Sequence, residues 1–223
     1  SRLGISAFRA YKRPDLNALY WSGDPTASGN PDLRSEDGWG GELFVGLSSG
    51  TSVRTSHSAY VTWYRNAVSW TANSGVWTPE NMGEALFVGT DHSARFTPAD
   101  GLTLEICYSF LRTWVLTGDF GFSDGKQIPY QPEHRVSLAL KGARNGWTWR
   151  VAPRYEGARY VSVMNVATLP GFFVLDAGLA KRIGKGLEVS IEVKNALSES
   201  YATVEGYPMP GASVSLGAVY TYR

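Results

Sequence analysis

Strict alternation of side-chain character near the C-terminus is the feature that most limits the folds open to this chain. From Ser213 to Tyr222, apolar residues alternate with small, mostly polar ones. Successive side chains of a β-strand point to opposite faces. One face would carry Val214, Leu216, Ala218, Tyr220 and Tyr222, and the other would carry Ser213, Ser215, Gly217, Val219 and Thr221. Such a pattern is typical of a strand in the wall of a transmembrane β-barrel, apolar toward lipid and polar toward the lumen.

The same period of two recurs along the whole chain, in runs separated by turn residues. It predicts an all-β, antiparallel, up-and-down transmembrane β-barrel wall of about ten strands. The predicted strands are Arg2–Tyr11, Asp37–Leu47, Ser52–Thr71, Val76–Phe96, Leu102–Leu116, Gln131–Lys141, Trp147–Tyr160, Gly171–Lys181, Leu187–Lys194 and Ser213–Tyr222.

The connections fall into a short set and a longer set that largely alternate. The short ones are Ser48–Gly50, Thr97–Gly101, Gly142–Gly146 and Ile183–Gly186, and the connection at Asn73–Gly75 is also predicted to be short. The longer ones are Lys12–Ser35, Gly118–Gly125, Ser162–Leu169 and Glu199–Gly211. Outer-membrane barrels have short periplasmic turns and long extracellular loops. A soluble β-sandwich is the alternative, since its strands alternate too; the rim asymmetry and the charges on one face only favour the barrel.

Composition narrows the possible functions. The 21 basic and 20 acidic residues give a net charge of +1, which lacks the basic excess of a nucleic-acid-binding protein. Eight Trp and 12 Tyr suit the aromatic girdles of a membrane barrel. No apolar run reaches the roughly 18 residues of a transmembrane helix. The single cysteine, Cys107, excludes an internal disulfide. No apolar leader opens the chain, so we expect a cleaved signal peptide or a piece of a longer protein.

Four motifs resemble the TonB-dependent outer-membrane receptors, and together they span most of the chain. They are Tyr11–Trp21 (YKRPDLNALYW), Gly29–Leu33 (GNPDL) followed by Glu36, Asn195–Tyr201 (NALSESY), and Gly206–Gly211 (GYPMPG) leading into the last strand. In that strand Ser215, Gly217, Tyr220 and Tyr222 resemble the barrel-assembly signal. The likeness is greatest to cobalamin-type and siderophore-type receptors.

This resemblance implies a receptor barrel for TonB-dependent active uptake of a scarce ligand, such as cobalamin or an iron–siderophore chelate, in the bacterial outer membrane. The implied partners are membrane lipid, the barrel-assembly machinery, a small-molecule ligand and a TonB-type energy-transducing complex. The energy-transducing complex would act through a plug domain. We expect residues 1–223 to lack that domain and the N-terminal box that engages the complex. Family barrels have about 22 strands. The chain is therefore expected to be a fragment, one chain of a split receptor, or a small closed barrel acting as a passive pore or adhesin.

Two groups of residues are candidates for function under this resemblance. Ligand-contact candidates on the long loops are Tyr20, Trp21, Asp24, Phe122 and Tyr207; ordinary loop packing is the alternative role for each. Lumen-facing charges, which would line a path or hold a plug, are Glu42, Glu105, Arg135, Arg150, Glu188, Glu192 and Lys194. A solvated barrel wall also needs such charges.

Nothing in the sequence favours an enzyme, a metal site or a cofactor. Asp91 and His92 are the only adjacent Asp–His pair, and as successive strand residues they should point to opposite faces. We expect them near the periplasmic rim, away from the extracellular rim where a barrel protease would act. His57 and His134 are far apart in sequence, and the glycines lie in turns rather than in a phosphate-binding loop.

Overall fold

The computed structural model describes residues 1–22, 25–73, 75–81, 83–117, 123–184 and 186–222. Its main element is one antiparallel sheet of ten strands in which almost every neighbour is the next long strand along the chain. In sheet order the strands are β1 (Arg2–Lys12), β2 (Glu36–Ser49), β3 (Val53–Arg65), β6 (Glu84–Ala99), β7 (Leu102–Thr117), β8 (His134–Arg144), β9 (Trp147–Glu156), β12 (Phe172–Ile183), β13 (Leu187–Lys194) and β16 (Ser213–Tyr220).

The remaining elements all lie in the long connections. Helix α1 (Leu16–Tyr20) lies in the first, with Asp15 as its N-cap accepting from Ala18 N. Three small two-stranded sheets follow, formed by β4 (Val68–Asn73) with β5 (Val76–Asn81), β10 (Arg159–Tyr160) with β11 (Thr168–Leu169), and β14 (Ala202–Val204) with β15 (Tyr207–Pro208). Among the described residues, no helix is long and apolar enough to cross a membrane.

The short turns follow the local sequence. Asn145 and Gly146 both have positive φ, 51° and 75°, as a two-residue type I′ hairpin turn requires. Gly101 has a φ of 76°, and a Cβ there would collide with the carbonyl oxygen of Ala143. Because only glycine fits such a position, the turn between β6 and β7 is fixed by one residue.

The ten predicted strands are confirmed, but two of them are interrupted. The predicted strands Ser52–Thr71 and Val76–Phe96 were each too long, because β3 ends at Arg65 and β6 begins at Glu84. The residues between them form the separate β4–β5 hairpin. The connection at Asn73 therefore belongs to the long set, which corrects the sequence prediction. Asn66, which follows β3 with a φ of 56°, turns the chain out of the sheet.

Smaller differences concern strand ends. The predicted strand Trp147–Tyr160 ends at Glu156 in the main sheet, and the predicted strand Gln131–Lys141 begins later, at His134. Tyr222 lies beyond the end of β16 rather than within it. The predicted loop Gly118–Gly125 lies mostly outside the described residues.

The sheet is a single layer, so the soluble-sandwich alternative is wrong. A sandwich buries one face of each sheet against the other. Here large apolar side chains along the sheet stay exposed, including Ile5, Leu43, Leu179 and Leu216, the last at 81%. Several buried apolar residues, such as Val115 and Phe172, lie near the end of the sheet that carries the long connections.

The sheet has two free edges. In the described part of the chain, β1 pairs with β2 and β16 pairs with β13, and β1 and β16 do not pair with each other. The sheet is therefore open in this structure.

Candidate functional site

The strand registers divide the ten-stranded sheet into an apolar face and a polar face. Leu179, Ile191 and Leu216 form one row across β12, β13 and β16. The adjacent row on the opposite face is Gly178, Glu192 and Ser215. The same separation holds at the other edge, where Ile5 pairs with Leu43 on one face and Ser6 pairs with Glu42 on the other.

All seven charged residues predicted to face the lumen lie on the polar face. Each has a polar or small residue opposite it on at least one neighbouring strand: Glu42 lies opposite Tyr60, Glu105 opposite Arg95, Arg135 opposite Ser109, Arg150 opposite Lys141, Glu188 opposite Arg182, Glu192 opposite Gly178, and Lys194 opposite Ser213. Glu105 bridges two strands, with Arg95 and Lys141 each at 2.6 Å.

The two ends of the sheet differ strongly. Four connections are short turns, between β2 and β3, β6 and β7, β8 and β9, and β12 and β13. The other five are long and emerge at the opposite end, because the strands are antiparallel. The five long connections form a layer at this end of the sheet, which we call the long-connection layer.

Hydrogen bonds join the first two members of this layer. The backbone N–H of Trp77 in β5 donates to Thr26 O at 2.7 Å, and Ser28 N donates to Trp77 O at 2.9 Å. Asn30 Nδ2 donates to Pro79 O at 3.1 Å. The first connection is thereby attached to the β4–β5 hairpin.

The glycine–asparagine motif after residue 28 has a structural role at this junction. A Cβ on Gly29 would lie 2.5 Å from the backbone nitrogen of Trp21. Gly29 N also donates to Trp21 O at 2.8 Å. Only a residue without a side chain permits this approach, so the motif holds the segment after α1 against the connection that follows.

The third and fourth connections are joined in the same way. Asn165 receives the backbone N–H of Gln127 at 2.7 Å and donates back to Gln127 O at 2.9 Å. Tyr130 N donates to Tyr160 O at 2.8 Å. At their base, Glu133 binds both Arg112 and Gln127.

Asn195 organises the fifth connection. It is 5% exposed, and its Nδ2 donates to the carbonyl oxygens of Glu199 and Pro210 at 2.8 and 3.1 Å. Its Oδ1 accepts from Glu199 N at 2.9 Å. Tyr201 then packs its ring 4.2 Å from that of Phe172. The Asn195–Tyr201 motif thus closes the loop that returns the chain to β16.

Tyr130 is the residue of this layer that sequence reasoning missed. It has a left-handed backbone, with a φ of 61°, which is unusual for a bulky residue. Its ring lies 6.5 Å from that of Trp77. Its hydroxyl is buried without a well-formed hydrogen bond among the described residues. Burial raises the pKa of Tyr130, the charge of Glu205 raises it further, and the backbone N–H of Glu205 offsets part of that rise.

Tyr130 therefore contacts two other long connections, through the ring of Trp77 and the backbone of Tyr160. The available sequence signal is its position in Gln127–Ile–Pro–Tyr–Gln–Pro132, an aromatic residue between two prolines. A bulky residue in a left-handed backbone conformation, with a buried hydroxyl that lacks a well-formed hydrogen bond among the described residues, is a candidate for a functional role.

The predicted ligand-contact residues are spread over this layer. Tyr20 ends α1 and Trp21 caps it, and both side chains are exposed. Tyr207 lies in β15 and is 73% exposed. Among the described residues, Tyr207 makes no ring contact or hydrogen bond with Tyr20 or Trp21. Asp24 and Phe122 lie outside the described residues.

The barrel-assembly candidates lie at the β16 edge. Ser215 and Gly217 lie on the polar face, opposite Glu192 and Ser190, and Tyr220 lies on the apolar face, opposite Leu187. Tyr220 and Tyr222 are both largely exposed. Their role in assembly stays a prediction.

The three histidines form a polar row on the apolar face, which the sequence did not predict. His57 pairs with His92 across β3 and β6, and His92 pairs with Tyr108 across β6 and β7. The Tyr108 hydroxyl lies 3.0 Å from His134 Nδ1. The pairing of β3 with β6 skips the β4–β5 hairpin, so sequence spacing alone did not bring these residues together.

The Asp91–His92 pair cannot act as a catalytic dyad. The register places Asp91 on the polar face, between Ser58 and Ser109, and His92 on the apolar face. Both lie in the middle of β6 rather than near the periplasmic rim, which corrects the sequence prediction. Among the described residues, no group of three or more His, Cys, Asp or Glu side chains is arranged to hold a metal ion.

Comparisons with known proteins agree with this architecture. Residues 3–196 match the family model described as TonB dependent receptor-like, beta-barrel. The chain is 26% identical over 220 residues to the vitamin B12 transporter BtuB of Vibrio cholerae, covering 96% of this chain and 33% of that protein.

Solved structures give the same result for the fold. The siderophore receptor PiuA from Acinetobacter baumannii aligns with a TM-score of 0.79 at 16% identity, over 99% of this chain and 34% of that one. The ferric-catecholate import receptor Fiu of E. coli K12 aligns with a TM-score of 0.74 at 20% identity, over 98% and 32%. The chain spans about a third of the length of each of these proteins. With most of its length matched by the family model, the chain belongs to the TonB-dependent receptor-like β-barrel family.

Proposed function

We propose that this chain is part of the wall of an outer-membrane receptor that imports a scarce ligand by TonB-dependent transport. A chain of this family lies in the bacterial outer membrane. The observation that carries the proposal is the two-faced, ten-stranded sheet with all its long connections at one end. Its apolar face would meet lipid, and its polar face would line the lumen.

The open edges favour a wall that other strands complete. Unpaired backbone groups in hydrocarbon cost several kcal/mol each, so β1 and β16 need partners in the membrane. We infer that further strands of the same receptor, on this polypeptide or on a second one, supply them. Such a receptor would also need a plug domain and its contact with the energy-transducing complex, which we infer lie outside residues 1–223.

The proposed ligand is a cobalamin or a metal–siderophore chelate. BtuB is named as a transporter of vitamin B12, and PiuA is named as a siderophore receptor. Tyr20, Trp21, Tyr130 and Tyr207 would contact the ligand, because each lies in the long-connection layer, and aromatic faces bury large area with little conformational loss. The closed ten-stranded pore or adhesin is the second candidate function, although β1 and β16 do not pair here.

Uptake by intact cells tests this proposal. Cells that express the complete receptor containing this wall should accumulate labelled cyanocobalamin or a labelled ferric siderophore, and a protonophore that collapses the energy source should abolish the uptake. A passive pore would instead admit small solutes of many kinds without energy, and it would give steady conductance in planar bilayers. Energy-independent uptake would therefore overturn the receptor proposal.

Alanine substitution can then assign the contact residues. Tyr207→Ala and Trp21→Ala should each weaken ligand binding about tenfold, as the loss of a stacked aromatic contact does. The matched control is Leu197→Ala, since Leu197 is exposed in the same connection as Tyr207 but is not aromatic. Unchanged binding in both aromatic variants would remove these residues from the proposed site.

A further inference from the structure

Two histidines interrupt the apolar face of the sheet, well inside strands β3 and β6. His57 and His92 are cross-strand partners, and both side chains are only half-buried. Their Nδ1 atoms bond to each other. Among the described residues, the second ring nitrogen of each histidine, Nε2, has no hydrogen-bond partner. On a face that meets hydrocarbon, no water is available to bind these two nitrogen atoms.

The bond between the two rings determines what they present to the membrane. One Nδ1 atom must carry the proton and the other must accept it. A neutral imidazole has a single N–H. The donating ring therefore has an acceptor at Nε2, and the accepting ring has an N–H donor there. Neutral rings are the form that hydrocarbon favours, because an unpaired charge is costly in it. The pair thus presents one donor and one acceptor side by side.

Small side chains flank the two histidines along their strands. Toward the short-turn end, the next row on the same face is Leu47, Thr55, Ala94 and Ile106, and toward the other end it is Leu43, Ala59, Thr90 and Phe110. We call Thr55, His57 and Ala59 of β3, together with Thr90, His92 and Ala94 of β6, the histidine strip. Larger side chains of β2 and β7 border it on both sides. Small residues let membrane-embedded backbones approach closely, so a second surface could reach both Nε2 atoms.

A second copy of the same wall would satisfy both Nε2 atoms at once. Two copies in one membrane can be related by a twofold axis along the membrane normal. That axis places β3 of one copy against β6 of the other. His57 of each copy then faces His92 of the other, and each donor meets an acceptor. A lipid acyl chain would fill the strip but would leave both nitrogen atoms unpaired.

The depth of the two histidines in the membrane permits this arrangement. A twofold axis along the membrane normal brings together residues that lie at the same depth. The strands of a membrane barrel tilt by about 35–45°. Because His57 and His92 are one strand spacing of about 4.8 Å apart, they differ in depth by only about 3 Å. Side-chain rotation can accommodate a difference of this size.

We propose that the histidine strip is the contact through which two copies of this receptor associate in the outer membrane. The inference rests on the proposed function in one respect, namely that the apolar face meets lipid. The same twofold axis places the β2 border of one copy, with Leu43 and Leu47, against the β7 border of the other, with Tyr108 and Phe110. The contact would therefore combine apolar packing at its borders with two hydrogen bonds at its centre.

Energy transfer between labelled copies in lipid vesicles tests this proposal. The complete receptor containing this wall would carry Ser52→Cys as its only cysteine, in the turn between β2 and β3. Copies labelled with a donor dye and copies labelled with an acceptor dye would be mixed over a range of lipid-to-protein ratios. We expect transfer that persists on dilution with lipid. His57→Leu with His92→Leu should weaken association at least about tenfold, through the loss of two hydrogen bonds in the membrane.

A second variant keeps both histidines and blocks the approach instead. Ala59→Phe places a ring on the histidine strip and should abolish the transfer. Ala177→Phe is the matched control, because Ala177 lies on the apolar face between Val151 and Val193, away from the strip. It should leave the transfer unchanged. Circular dichroism and heat-modifiable gel mobility establish that each variant is folded.

Each other outcome overturns the inference. Transfer that is absent from the unmodified receptor, or equal in the double-leucine variant, would show that the two histidines do not join copies. A monomer that retains a lipid in native mass spectrometry, and loses it in the double-leucine variant, would identify lipid as the occupant. A monomer whose apolar face meets lipid, measured with spin labels on β13, counts against this inference alone. A dimer without energy-dependent uptake counts against the proposed function alone.

Discussion

The Nδ1 atoms of His57 and His92 lie 2.9 Å apart across β3 and β6, on the face of the sheet that is otherwise apolar. One ring must donate and the other must accept. If this face meets lipid, no water is available to replace a lost partner. Replacing one imidazole should therefore destabilise the protein through the unpaired ring that remains, and replacing both should avoid that cost.

A double-mutant cycle on this pair gives the first prediction. His92→Leu alone should destabilise the protein by about 1–3 kcal/mol, because it leaves His57 unpaired. His57→Leu with His92→Leu should cost clearly less than the sum of the two single changes. Urea unfolding in micelles measures the coupling, and Ser215→Ala on the polar face is the control. Strictly additive effects would mean that the pair is not hydrogen-bonded.

The close approach at Gly29 gives the second prediction. Gly29→Ala should loosen the first long connection, because the new methyl group would overlap the backbone at Trp21. Limited proteolysis between α1 and β2 should become at least about tenfold faster. This factor corresponds to a free energy of local opening that is lower by about 1.4 kcal/mol. Gly41→Ala is the control, since a Cβ there meets only Ser6 O at 3.5 Å. Equal cleavage rates in both variants would contradict the role assigned to Gly29.

These two sites illustrate what the sequence could predict. Alternation predicted all ten long strands and the two faces, because the period of two is a local property that tertiary contacts do not alter. It could not predict where β3 ends, since β4 alternates as well as the membrane strands do. The histidine row was missed for a related reason: His57 and His92 come together only through the pairing of strands on either side of that hairpin.

The four sequence motifs predicted the structure of the long connections better than they predicted the ligand site. Gly29, Asn30 and Asn195 hold connections in place by backbone approach and hydrogen bonds, so their spacing could be recognised in the sequence. Tyr130 owes its position to a left-handed backbone and to neighbours from two other connections. No local pattern specifies that environment.

Asn195 gives the third prediction. Asn195→Ala removes the hydrogen bonds to Glu199 and Pro210 and places alanine at a φ of 49°. Both effects destabilise the fifth connection, by about 1–3 kcal/mol together. Hydrogen–deuterium exchange should rise across Ala196–Met209 while β13 and β12 stay protected. Uniform exchange throughout the sheet, or no change in the connection, would contradict this local role.

Tyr130 gives the fourth prediction, a pH dependence. Burial and Glu205 raise its pKa above that of an exposed tyrosine, which is about 10. The phenol therefore keeps its proton in the folded protein at pH values where the unfolded chain loses it. The stability of the folded state should fall as pH rises from about 10 through the folded pKa of Tyr130.

Difference spectroscopy measures this shift. Subtracting the phenolate absorbance of Tyr130→Phe from that of the unmodified protein isolates one tyrosine among the 12. Its ionisation should occur at a higher pH than that of N-acetyltyrosinamide in the same buffer, because burial raises the pKa of Tyr130. Ionisation of Tyr130 at the same pH as this free tyrosine derivative would show that Tyr130 is not desolvated.

The central claim is that one face of this sheet meets lipid and the other meets water, and spin labels along β13 test it most directly. Single cysteines at positions 188 to 192, in a Cys107→Ser background, would each carry a nitroxide on the protein in membrane vesicles. We predict that collision with oxygen is greatest at Val189 and Ile191, and that collision with a water-soluble nickel chelate is greatest at Glu188, Ser190 and Glu192. A flat profile, or low oxygen access at Val189 and Ile191 as in a buried sandwich core, would contradict the account.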